Sequence, residues 1–162
     1  GRKRIAHLLI DSVHGDDQER TIEQLRNVDP GLQPYLVQAV AMGRDFRHAT
    51  GVIRLMMELD ASKRPDALVI HDDNLVAPVL TGLLSSRVHV PEDLSVISLA
   101  NFPLTVPGGL PLKRLGFDCK HMLKRCLAEL DRQRKGNTEV VHLKEPAHFE
   151  DELVHKSFEV PK

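Results

Sequence analysis

The chain has 162 residues, 41% of them hydrophobic and 28% charged, with 22 lysines and arginines against 23 aspartates and glutamates. That balance excludes a disordered chain and leaves room for one complete core. A net charge of −1 and two cysteines exclude a basic nucleic-acid or membrane-binding face and a disulfide-built secreted scaffold.

Ile5–Ile10 is a short, mostly apolar run that predicts a strand buried on both faces. It is too short, and interrupted by His7, for a signal peptide, and no run approaches the roughly 20 apolar residues of a membrane helix. The polar turn Asp11–Asp17 leads into a helix capped by Asp16 or Asp17 and running to about Asn27, where Asp29-Pro30-Gly31 stops it. Tyr35–Val40 reads as a second strand. Phe46, Ala49, Thr50, Ile53, Met56 and Met57 then fall at helical spacing up to Asp60. Ala67–Ile70 is a third strand. The stripe Leu75, Val76, Val79, Leu80, Leu83, Leu84 is a helix whose first turn is disturbed by Pro78. Leu94–Ala100 is the fourth strand.

Alternating strands and helices are the pattern of βαβ units. The expected fold is α/β: a three-layer, doubly wound parallel sheet with right-handed crossovers and ligands at the carboxyl ends of the strands. The last third differs. After the turn-rich stretch Thr105–Pro111, the residues Cys119, Met122, Leu123, Cys126, Leu127 and Leu130 mark the cleanest amphipathic helix in the chain. Arg132, Arg134 and Lys135 suit its negative end, and Gly136 its stop. Val140–Leu143 and Phe149–His155 read as short closing strands.

The candidate chemistry is sparse. Carboxylates at the strand-to-loop step Val69-Ile70-His71-Asp72-Asp73-Asn74 would face the crevice above the sheet, where they can accept hydrogen bonds from a polyol; alternatively one of them only caps the next helix. Arg20 is either a forked donor reaching over the strand ends or a solvated residue beside Glu19 and Glu23. The nine histidines are scattered and none forms an i, i+4 metal pair. His14 with Asp16 and Asp17 is the best local cluster, and turn chemistry explains it, so no metal is expected. Cys119 and Cys126 lie about 10 Å apart along a helix, beyond disulfide reach, and share the apolar stripe, which points to core packing. Pro107-Gly108-Gly109 lacks the Lys-Ser/Thr of a phosphate loop, and no nucleophile elbow or triad is present. No enzyme activity and no cofactor are expected. Absent tryptophan and 4% aromatics make a poor surface for stacking on sugars or bases.

The segment Arg64-Pro-Asp-Ala-Leu-Val-Ile-His-Asp-Asp73, followed by Val90-Pro-Glu-Asp-Leu-Ser-Val-Ile97, resembles the lactose-repressor (LacI/GalR) family of bacterial transcription regulators, which carries a strand with an "ND" or "DD" step and then a "VPEDLSVIG" phrase. Gly1-Arg-Lys-Arg-Ile-Ala6 is similar to the family's "GHRRIA" lead-in to its second subdomain, and Leu153-Val-His-Lys-Ser157 to its final "LVxRxS" segment. The resemblance covers nearly the whole chain.

The resemblance implies an effector domain of the periplasmic-binding-protein-like type I fold, of which this chain is the second subdomain. Residues 1–104 would form that subdomain, 105–137 a connection and helix that packs on the missing first subdomain, and 138–162 the closing strands. It implies Arg20, Asp72, Asp73 and Asn101, with His14 nearby, as ligand-binding residues for a small-molecule effector such as a sugar. Operator DNA would be bound only through a missing N-terminal helix-turn-helix, in a cytoplasmic homodimer with no membrane contact. The family's "G-[FY]-D-[DN]" reads Ser98-Leu-Ala-Asn101 here, so Ala100 stands where an acidic ligand contact is usual. "PPLTT" reads Leu110-Pro-Leu-Lys-Arg114, and Glu23 stands where the family has glycine. The alternatives are a solute-binding protein of a transporter, which has the same fold, and a flavodoxin-like receiver or enzyme using Asp11, Asp72 or Asp73.

Overall fold

The computed structural model describes residues 2–10, 20, 23–24, 27, 35–39, 46–106 and 109–156. The chain divides into two compact units, residues 1–99 with 106–113, and residues 100–105 with 114–162. The elements are β1 (Ile5–Ile10), β2 (Tyr35–Ala39), α1 (His48–Met57), β3 (Ala67–Ile70), a 3-10 turn (Asp73–Leu75), α2 (Val76–Ser85), β4 (Ser95–Phe102), β5 (Lys113–Asp118), α3 (Cys119–Arg134), β6 (His148–Phe149) and α4 (Glu150–Lys156).

In the first unit the strand order is β2-β1-β3-β4, and every pairing is parallel. His7 lies opposite Leu36 and Val69, and Leu68 opposite Val96. Strands in such a sheet are buried on both faces, which is why Ile5–Ile10 and Ala67–Ile70 read as apolar runs rather than alternating ones. Among the described residues, Ala6, Leu8, Leu68 and Ile70 of the strands meet Ala49, Ile53 and Met56 of α1 and Val76, Val79 and Leu83 of α2 in one core. α1 and α2 approach closely at Gly82, where a Cβ would lie 2.8 Å from Ile53 Cβ. Pro78 sits in the first turn of α2, behind the 3-10 turn, as its missing N–H requires.

At the amino ends of the strands, the Asp66 carboxylate accepts from the Lys3 and Arg4 amides, at 3.1 and 2.9 Å, with the Arg4 guanidinium at 3.7 Å. Burial alone would raise the Asp66 pKa, but the two amides and the charges of Arg4 and Arg2 outweigh it and hold the carboxyl below its usual range. Arg2 reaches the carbonyls of Pro91 and Glu92 and the Ser95 hydroxyl. The Val90-Pro91-Glu92-Asp93 phrase is thus a turn tied to the start of the chain and closed by Asp93, which accepts from the His89 amide at 3.0 Å.

The second unit holds the end of β4, then β5, with β6 antiparallel to β5 through Leu115–Phe149 and Gly116–His148. Gly116 is required there, because a Cβ would fall 1.7 Å from the Ala100 carbonyl oxygen. Arg114 is buried, donating to Glu150 at 2.7 Å and to the Leu104 carbonyl, with its guanidinium 5.0 Å from the centre of the Phe102 ring. Asp118 caps α3 by accepting from the His121 amide at 2.9 Å, and Gly136, at φ +93, follows its last turn.

Three sequence expectations fail in this unit. Val140–Leu143 forms no strand. Phe149–His155 is not a strand either: only His148–Phe149 pairs, and Glu150–Lys156 is helical. Glu150, Asp151 and Glu152 crowd the first turn of α4, where the helix dipole favours anions, and Glu152 reaches back to accept from the Phe149 amide at 2.9 Å. The core role expected of Cys119 and Cys126 also fails. α3 has no buried residue, Cys119 is half-buried and Cys126 is exposed. No described helix is long and apolar enough to cross a membrane.

Candidate functional site

β3 ends at Ile70, and His71 continues its line by donating its amide to the Leu8 carbonyl at 3.0 Å. Asp72 remains extended and caps the 3-10 turn. Its Oδ1 accepts from the Asn74 amide at 2.8 Å and from the Asn74 carboxamide at 2.9 Å. The cap fixes the Asp72 side chain at the carboxyl end of the strand, and Asp73 follows it, half-buried. Beside this step lies an open hollow of about 760 Å³, lined by Phe46, Arg47, Thr50, Asn74, Ala77, Pro78 and Thr81.

Beneath the step two imidazoles meet. His7 Nδ1 and His71 Nε2 are 3.0 Å apart, so one ring donates to the other. His7 is only 4% exposed, and its Nε2 has no hydrogen-bond partner among the described residues. Burial, reinforced by the neighbouring His71, pushes the His7 pKa down from 6.5 to about 4, and burial also lowers His71. Both rings are therefore neutral at pH 7. This pair was not legible from spacing, because the partners are 64 residues apart. The one local signal was a histidine interrupting a buried strand.

The remaining candidates stand elsewhere. Arg20 is helical and exposed. His14 lies outside the described residues. Asn101 belongs to the second unit, on β4, where its Oδ1 accepts from the Cys119 thiol at 3.6 Å. Asp72, Asp73 and Asn74 are thus brought together on one turn of the first unit, and Asn101 is carried by the other. No group of three or more His, Cys, Asp or Glu side chains among the described residues could hold a metal ion.

The profile of the periplasmic-binding-protein-like domain matches residues 1–144. The chain belongs to that family. Among solved structures of this fold, a LacI-family transcriptional regulator from Bifidobacterium animalis subsp. lactis DSM 10140 superposes with a TM-score of 0.74 at 18% identity, covering 92% of this chain and 54% of the regulator. A LacI-family regulator from Lactobacillus casei with bound sucrose gives 0.69 at 17% identity, over 92% of this chain and 56% of that one. One from Arthrobacter sp. FB24, in complex with lactose, gives 0.69 at 19% identity, over 91% and 56%. At these identities the likeness is one of fold. The chain spans about half the length of the regulators it matches. No curated protein matches it. The parallel order β2-β1-β3-β4 with the acidic step at the end of β3 is how this periplasmic-binding-protein-like chain realises the fold.

Proposed function

We propose that this chain is the effector-sensing part of a bacterial DNA-binding transcription regulator of the lactose-repressor type, acting in the cytoplasm and catalysing no reaction. The observation that carries the reading is the Asp72–Asn74 step. A carboxylate is fixed by its own cap at the carboxyl end of a central parallel strand, in a fold shared with regulators solved with sucrose and lactose. In this reading Asp72 and Asp73 accept hydrogen bonds from the hydroxyls of a small polar effector. Arg20, Asn101 and His14 complete its contacts. Ala100 withholds a carboxylate at the end of β4, which favours an effector with fewer hydroxyl donors on that side.

The uncovered face of α3 is, in this reading, the seat of the half of the regulator that this chain does not span. Its apolar residues are exposed, and the match covers only 56% of the sucrose-bound regulator. An effector held against both halves stabilises one relative position of them, which alters the geometry of a homodimer and so its affinity for operator DNA, read by a separate helix-turn-helix.

Calorimetry of the regulator carrying this chain, against sucrose, lactose and a panel of sugars and sugar phosphates, tests the assignment. Loss of about tenfold or more in affinity is expected for Asp72→Ala and for Arg20→Ala, equal to about 1.4 kcal/mol. Unchanged affinity of both variants for an effector that binds the parent would overturn the site. Operator DNA must also shift effector affinity by the same factor that the effector shifts operator affinity.

A further inference from the structure

Two histidines interrupt the apolar interior of the sheet, and the proposed effector contacts use neither. Ala6 and Leu8 on either side of His7, and Leu68 and Ile70 before His71, pack with α1 and α2. Side chains alternate along a strand, so His7 and His71 project from the opposite face of the sheet. There His7 Nδ1 and His71 Nε2 are 3.0 Å apart, with the ring centres 5.3 Å apart and the planes tilted by 43°. The far side of His7 decides which ring donates. Its Nε2 is buried with no hydrogen-bond partner among the described residues, and a bare lone pair is less costly to bury unpaired than an N–H. His7 is therefore the Nδ1–H tautomer and donates to His71, which accepts at Nε2 and carries its own proton at Nδ1. His71 in turn is joined to the acidic turn. Its amide is held by the Leu8 carbonyl, and the next residue, Asp72, holds the Asn74 amide and carboxamide on one oxygen. The strands around the pair bring no charge to it: Tyr35–Ala39, Ala67–Ile70 and Ser95–Phe102 contain no charged residue, and Tyr35 is in register with Ala6, not His7. Arg20 and Glu23, the charged residues described on the helical segment between β1 and β2, are exposed. Asp72 and Asp73 are the charged neighbours of His71 along the chain.

We propose that the His7–His71 pair is a proton-operated latch beneath the Asp72–Asn74 turn: neutral, it holds the turn in place, and on taking up a proton it releases the turn. The proton arrives at His71, which is half-buried, rather than at His7, which is 4% exposed. It occupies Nε2, the atom that accepts from His7, so two N–H groups then face each other. Either His7 passes its own proton to Nε2, where it is buried without an acceptor among the described residues, or the rings part. Parting moves His71 and, through the backbone, Asp72. The imidazolium is also a charged donor beside the carboxylate that holds Asn74, and it competes for that oxygen. Burial lowers both pKa values from 6.5, with His71 adding to the effect on His7, so the latch is closed at neutral pH and opens in acid. Its consequence for effector affinity rests on the reading of Asp72 given above, whereas the latch itself needs no effector.

Nuclear magnetic resonance of the full nitrogen-15-labelled chain, with no ligand added, tests it from about pH 7.5 down to about pH 4.5, the span over which histidines titrate. At pH 7 the imidazole nitrogen shifts are expected to show both His7 and His71 protonated at Nδ1. On acidification the Asn74 amide proton is expected to move upfield, as loss of its hydrogen bond requires, with the midpoint of His71 and below 6.5. His71→Gln keeps an acceptor for His7 but takes up no proton, and is expected to leave the Asn74 amide at its neutral position throughout. His7→Phe is expected to raise the His71 midpoint toward 6.5 and to carry the Asn74 response with it. Should that variant fail to fold, the parent and His71→Gln decide. An Asn74 amide that ignores the His71 titration would overturn the proposal. So would an equal response in His71→Gln, or a His71 that carries its proton on Nε2 at pH 7. A sugar panel without a binder would leave the latch standing and fall on the effector reading alone.

Discussion

Ile53 and Met57 of α1 in the first unit are buried, whereas Leu123 and Leu127, set at the same helical spacing on α3 of the second, keep 62% and 53% of their surface exposed. Both helices are amphipathic by pattern, and α3 is the cleaner of the two. Amphipathicity states that a helix has a face to bury, and it does not state what buries it. In the first unit the cover is local: α1 and α2 lie against the parallel strands they connect. In the second unit α3 is held by polar contacts instead. Arg125 donates to Glu145 at 2.6 Å and to the Lys144 carbonyl at 3.1 Å, and Arg132 pairs with Glu129 on its own helix. Such partly exposed pairs orient a segment but contribute little stability.

The contrast is open to direct attack by mutation. The largest effect is expected for Ile53→Ala or Leu68→Ala, about 2–5 kcal/mol in denaturant unfolding, because each empties space in a closed core. A loss under about 1 kcal/mol would mean that the first unit is not the stable part. Gly82→Val should cost about 1–3 kcal/mol by forcing α1 and α2 apart at Ile53. The same titrations at several pH values should expose the buried imidazoles. With His7 at about 4 when folded and 6.5 when free, the unfolded chain holds the proton more tightly. Stability is therefore full above pH 6.5 and falls as pH drops toward 4, by roughly 1–3 kcal/mol. His7→Phe should flatten that slope, and a slope unchanged in the variant would assign it to other groups. In the second unit Glu150→Gln should cost only about 1 kcal/mol, because its ion pair with Arg114 is half open to water. Smallest of all, Leu123→Ala and Leu127→Ala should stay within about 0.5 kcal/mol. A large loss at either would mean that α3 is covered in solution.

Much of the first unit was legible because its signals are local. Apolar runs flanked by Asp, Pro and Gly marked β1, β3 and β4, and the stripe from Phe46 to Met57 marked α1. The Asp72–Asn74 step was legible as a cap and as a strand-end carboxylate, since both readings depend on short-range chemistry. His7 with His71, and the hollow from Phe46 to Thr81, were not legible. Their members are brought together by strand register and helix packing. β5 was missed for a related reason: Lys113-Arg-Leu-Gly-Phe-Asp118 has a charged pair and a glycine and no clean alternation, and it becomes a strand by pairing. Its glycine has a purpose only beside the Ala100 carbonyl, and Arg114 is tolerable inside only with Glu150, Leu104 and Phe102 around it.

By itself the sequence determined an α/β chain with parallel strands, the positions of its main helices, and an acidic step at the end of the third strand. Hydrophobic period, caps and turn residues act within a few positions of one another, so they can be read in order along the chain. Only the tertiary structure decided that Glu150–Lys156 turns helical after a two-residue strand, that two distant histidines share a hydrogen bond beneath Asp72, and that nothing among the described residues buries the apolar face of α3. Those outcomes depend on which surfaces meet, and burial is a property of the pair of surfaces rather than of either one.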